Sequence, residues 1–130
     1  MQLALLLLAS VTTLTLACIP TKTPSPGIPV PACKKCSRDM IQNEPTEPGW
    51  GAFAADSPDL TGACAVINFV CSGAGPAPAP YIKLNGMYVY DLDDGTADLV
   101  AHATVTCNAD GSAWTYTDGT PITLATCFPR

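Results

Sequence analysis

Six cysteines, Cys33, Cys36, Cys64, Cys71, Cys107 and Cys127, follow an apolar N-terminal leader in a chain of 130 residues. An even set of thiols behind such a leader constrains the fold more than any other feature. It predicts an exported domain in an oxidising compartment, held by three disulfides. Each bridge is expected to contribute about 2–4 kcal/mol, mainly by restricting the unfolded chain. The cysteines of such a scaffold are engaged in cross-links, which takes them out of contention as catalytic groups.

The leader is read as residues 1–17. Leu3 to Leu8 holds five leucines and one alanine, and no charged side chain precedes Lys22. The apolar stretch is short for a bilayer span, because a helix rises only about 1.5 Å per residue. Thr15 and Ala17 are small residues that suit cleavage after Ala17. A buried N-terminal helix is the alternative. Cys18 also admits a lipoprotein reading, but Thr15-Leu16-Ala17 fits that motif poorly, and cleavage one residue later, which removes Cys18, leaves an even count.

Residues 18–32 are expected to be a spacer, since IPTKTPSPGIPVPA places five prolines in fourteen residues and so favours extended, solvated backbone. Residues 33–130 then form one six-cysteine β domain. Eleven Asp and Glu outweigh six Lys and Arg, for a net charge of −5, and the cations form no stripe. Nucleic acid and anionic membrane surfaces are therefore not expected partners. Nor is a membrane span expected, as no second hydrophobic segment follows the leader.

The mature region lacks a helical period and shows short alternating runs broken by turn residues. The expected class is mostly β, a small disulfide-stabilised antiparallel β-sandwich or open barrel. Ser37 to Gly62 reads as irregular with one or two short strands, and Cys64 to Cys71 as the first clear strand. Ser72 to Pro80 (SGAGPAPAP) is a loop, too poor in backbone donors for regular structure. Tyr81 onward reads as a meander. Tyr81–Leu84 and Met87–Leu92 flank an Asn85-Gly86 hairpin turn. Asp93-Asp94-Gly95 makes the next turn, and Ala97–Cys107 the longest strand. Ser112–Thr117 and Ile122–Phe128 follow, set off by turns at Asn108–Gly111 and Asp118-Gly119.

Alternation sorts the cysteines by face. Cys71 shares a face with Ile67 and Phe69, and Cys107 with Leu99, Ala101, Ala103 and Val105. Both end apolar faces, so a Cys71–Cys107 bridge through the core is expected. Cys64 lies on the opposite face of its strand, and Cys33 and Cys36 are poor mutual partners for closing long loops. Six cysteines still permit fifteen pairings.

In order, CKKC, CAVINFVC, VTCNADGSAW and ITLATC resemble the six-cysteine extracellular domain of nematode secreted and surface proteins. That pattern has an early C-x-x-C (Cys33, Cys36), two cysteines on a middle strand (Cys64, Cys71), one before a Gly-x-x-Trp turn (Cys107, then Gly111 and Trp114), and a last one (Cys127). The resemblance implies a Cys33–Cys64 bridge, by analogy with members that lack the first and third cysteines together. Cys36–Cys127 is then left over. The family carries a fold and a location but no assigned molecular activity.

Several groups could carry chemistry. Cys33-Lys34-Lys35-Cys36 has redox spacing, but it follows a proline-rich segment instead of opening a helix, so structural cysteines are the better reading. Asp91, Asp93, Asp94 and Asp98 could offer oxygen ligands to calcium, yet the glycine spacing and the missing distal Glu favour a plain acidic turn. His102, the only histidine, alternates away from the core face, and the sequence holds no nucleophile-elbow motif. Trp50, Trp114, Tyr81, Tyr88, Tyr90 and Tyr116 are mostly expected to pack, with Tyr88 and Tyr90 sharing one face as the best binding-surface candidate. No catalytic residues, cofactor or metal are expected. The reading is a secreted structural or interaction module in the extracellular space, with an extracellular protein or glycan as partner. The alternative is a secreted effector or protease inhibitor acting through the exposed loop Ser72–Pro80.

Overall fold

The computed structural model describes residues 27–43, 48–75, 78–90 and 99–129. The leader, Cys18 and the acidic turn from Asp91 to Asp98 lie outside these residues. Nine strands are described: β1 Gln42–Asn43, β2 Pro58–Asp59, β3 Val66–Ser72, β4 Tyr81–Leu84, β5 Met87–Val89, β6 Val100–Cys107, β7 Trp114–Thr115, β8 Pro121–Ile122 and β9 Leu124–Phe128. Two short 3-10 turns, Ala32–Lys34 and Arg38–Met40, precede them.

The strands form a sandwich, not a barrel. One sheet has the order β1-β9-β4-β5 and the other β2-β3-β6-β7-β8. Alternation builds the core as read. Ile67, Phe69 and Cys71 on β3, and Ala101, Ala103, Val105 and Cys107 on β6, are buried, while Asn68, His102, Thr104 and Thr106 face outward. Ile82, Leu84, Ala125 and Cys127 close the core from the other sheet. Burying a side chain such as Ile82 stabilises the fold by about 1.5–3 kcal/mol. Phe53 adds to this layer, its ring 4.7 Å from that of Phe69.

The β4–β5 turn follows directly from its sequence. Asn85 and Gly86 both adopt positive φ, 47° and 86°, the conformation a two-residue hairpin with matching twist requires. Asn85 has a second task. Its side-chain oxygen accepts the backbone N–H groups of Thr123 (3.0 Å) and Leu124 (2.9 Å), and its amide donates to the Pro121 carbonyl (2.7 Å). These bonds hold the chain where it leaves β8 in one sheet and enters β9 in the other.

That crossing corrects the expected meander. Residues 121–128 are two strands in different sheets, not one, and β9 inserts between β1 and β4, parallel to β1. A meander survives only from β6 to β8. The segment from 112 to 117 contributes two strand residues, Trp114 and Thr115.

The disulfides are Cys33–Cys64, Cys36–Cys107 and Cys71–Cys127. Cys33–Cys64 is the bridge the family resemblance implied. The expected Cys71–Cys107 and Cys36–Cys127 bridges are not formed, for a geometric reason. β3 and β6 are antiparallel neighbours in one sheet, with Cys71 opposite Ala101 and Val66 opposite Thr106. Cys71 and Cys107 therefore do share the inner face, but they sit at opposite ends of it, roughly 20 Å apart at about 3.3 Å per residue. Cys71 instead crosses the core to Cys127 on β9, and Cys107 takes Cys36 from the segment before β1.

Candidate functional site: an aromatic face on the four-stranded sheet

Strand pairing determines which side chains meet on the outer face of the β1-β9-β4-β5 sheet. Tyr81 is opposite Phe128 and Lys83 is opposite Tyr88, while Tyr90 follows Tyr88 at the two-residue spacing that returns a side chain to the same face. Tyr81 stacks on Phe128, with centroids 4.6 Å apart and planes at 11°. Tyr88 and Tyr90 lie over this base, 5.4 Å and 5.6 Å from the Tyr81 ring. Their own rings are 6.3 Å apart and within 12° of parallel. The Lys83 ammonium lies 5.7 Å from the Tyr88 centroid, a cation–π contact.

Burial divides the cluster into a foundation and a surface. Tyr81 and Phe128 are buried, whereas Tyr88 and Tyr90 remain 54% and 50% exposed. A hollow of about 440 Å³ opens beside them, lined by Pro78, Ala79, Tyr81, Tyr88 and Tyr90. This volume is within the range that takes a small ligand or part of a peptide. Pro78 and Ala79 come from the loop Ser72–Pro80, so the loop singled out for an inhibitor forms one wall of the aromatic hollow. Pro80 at its end is buried.

The other sequence candidates are placed elsewhere or differently. Trp114 is fully buried and donates its indole N–H to the Ser37 carbonyl at 2.8 Å, so it is core. Trp50 is exposed. His102 is exposed on β6, and with Val89, Tyr90, Thr104 and Tyr116 it borders a second hollow of about 250 Å³. Cys33 and Cys36 are buried and bonded to different partners, which leaves no dithiol in the C-x-x-C segment. Among the described residues no cluster of His, Cys, Asp or Glu is arranged to hold a metal ion. None of the described helices is long and apolar enough to cross a membrane.

Three exposed carboxylates have pKa values below the usual range, each through a local turn. The backbone N–H of Thr61, then its hydroxyl, lowers Asp59. The Ser112 hydroxyl, then its backbone N–H, lowers Asp110. The Thr120 backbone N–H lowers Asp118. These are turn-stabilising contacts of carboxylates facing solvent, and none adjoins the aromatic hollow.

The pairing of Tyr88 with Tyr90 was readable from alternation. Lys83 and Tyr81 meet these rings across the Asn85-Gly86 hairpin, whereas the participation of Phe128 was not readable, because it depends on β9 lying beside β4. Comparison with protein families, curated proteins and solved structures returns no match.

Proposed function

We propose that this protein is a secreted, disulfide-stapled β-sandwich of the extracellular space that acts by binding rather than by catalysis, through the tyrosine face of its four-stranded sheet. The observation that carries the reading is the half-exposed, parallel Tyr88–Tyr90 pair above a buried Tyr81–Phe128 stack. Exposed aromatic rings on a rigid support supply contact area at little cost in side-chain entropy, and aromatic residues are enriched in interface cores. Three disulfides in one small domain support an oxidising compartment. The ordered cysteine pattern supports kinship with the nematode six-cysteine extracellular domain, whose members are secreted or displayed at the surface.

The test is retention of an extracellular protein or glycan by the immobilised protein. A Tyr88→Ser/Tyr90→Ser variant should lose that retention while keeping all three disulfides by peptide mapping. Equal retention by the variant would falsify the assignment of the binding face.

A further inference from the structure

The same chain carries a second exposed apolar feature, far from the tyrosines. In the segment Gly27–Ala32, Ile28 is 94% exposed and Val30 61% exposed. The sequence there is Ile28-Pro29-Val30-Pro31, two consecutive X-Pro dipeptides, and Pro26 with Pro29 completes a P-x-x-P spacing. Each proline fixes its own φ and drives the residue before it toward extended backbone. Pro31 has φ −52° and ψ 142°, in the polyproline II region. Such an arm is already ordered for docking, so little entropy is lost when it binds.

Aromatic-lined grooves are the surfaces that polyproline II segments fit. The hollow beside Tyr88 and Tyr90 has that character. Its described lining is Pro78, Ala79 and three tyrosines.

We propose that this groove receives the arm Gly27–Ala32 of a second copy of the chain, so that the protein assembles head to tail. The inference rests on the tyrosine face being the binding surface and names its occupant. Reach excludes docking within one copy. The arm is rooted at Cys33, which is bonded to Cys64 just before β3. The groove belongs to the other end of the sandwich, where Cys71 at the far end of β3 joins Cys127 beside Phe128. Those ends are separated by about 20 Å along β3, with the tyrosines farther still on the outer face of the opposite sheet. Ile28, five residues from Cys33, reaches at most about 18 Å, and Pro31 about 7 Å. A donor at one end and an acceptor at the other make a heterologous contact, which propagates from copy to copy as a chain or, where its rotation closes, a ring. With a net charge of −5 on each copy, added salt should strengthen the association by screening like-charge repulsion.

Sedimentation of the whole secreted protein from low micromolar to millimolar concentration tests this. Wild type should form a concentration-dependent series of oligomers. Ile28→Ser/Val30→Ser, altered only at solvent-facing positions, and Tyr88→Ser/Tyr90→Ser should each weaken self-association at least about tenfold. An equimolar mixture of the two variants should stop at a heterodimer, because one retains the groove and the other the arm. Wild type that stays monomeric to millimolar, or a mixture that stays monomeric while wild type associates, overturns the proposal. If wild type is monomeric but Tyr88→Ser/Tyr90→Ser still loses an extracellular partner, only the head-to-tail inference falls. If the tyrosine variant loses neither, the binding face itself is wrong.

Discussion

At one end of the sandwich, Cys33–Cys64 and Cys36–Cys107 bracket a buried Trp114 whose indole N–H is satisfied by the Ser37 carbonyl. At the other end a single bridge, Cys71–Cys127, backs a sheet face that turns two tyrosines to solvent. The first end directs its aromatic surface inward and fastens the chain around it. The second leaves aromatic surface outside, on a support already held by the core behind it. On the proposed reading, stability and recognition fall to different ends, so that each should be alterable without the other.

The largest effect should come from the fastened end. Replacing Cys36 and Cys107 together by Ala opens a loop of 71 residues and should cost about 2–5 kcal/mol in chemical denaturation, with the tyrosine face keeping its ligand wherever the protein is folded. Retained stability would show that this end is not the brace the comparison makes it.

A glycine pair sharpens the point. Gly111 has φ 76°, and a Cβ there would lie 2.3 Å from the Ala32 carbonyl oxygen, whereas Gly119 at φ 85° has open space around it. Gly111→Ala should therefore cost about 2–3 kcal/mol and Gly119→Ala only about 1 kcal/mol. Equal thermal melts for the two would mean that the close approach of the Ala32 turn to the Gly111 loop contributes nothing.

At the open end, Tyr88→Ser/Tyr90→Ser should lower stability by about 1–2 kcal/mol, since both rings are half exposed although each ring pair adds a modest amount beyond area. A loss matching the disulfide variant would make the tyrosines structural and remove the contrast.

The smallest effect is a pH dependence. Asp110 has a lowered pKa in the folded state, so its contribution is present above the unfolded value of 3.8 and is lost as pH falls through the folded one. Asp110→Asn should lack this small contribution at neutral pH and approach wild type only in acid, so that its acid limb is flatter. An unchanged acid limb in the melting temperature would dismiss the turn as a source of acid sensitivity.

Much of the fold could be read from residue alternation. The core faces of β3 and β6, the Asn85-Gly86 hairpin and the shared face of Tyr88 and Tyr90 follow from a period of two and from turn chemistry, both local. What could not be read is non-local. Alternation assigns Cys71 and Cys107 to a face but says nothing of which end of an antiparallel neighbour each occupies, so two of the three bridges were expected wrongly. Thr123 has no signal in its own sequence that it ends a strand in one sheet; the switch is imposed by Asn85, 38 positions away. The aromatic foundation under Tyr88 and Tyr90 was hidden for the same reason, because Phe128 reaches Tyr81 only through that switch.

The position of β9 has a temporal side. It is the last described strand in the chain yet lies in the interior of its sheet, between β1 and β4. A polypeptide leaving a ribosome or threading a translocon N-terminus first can close Cys33–Cys64 early and Cys36–Cys107 later. Cys71 must wait for Cys127, and β1 and β4 must wait for the strand that joins them. The foundation of the tyrosine face is therefore completed only once Phe128 has emerged, when Cys33–Cys64 and Cys36–Cys107 can already have formed.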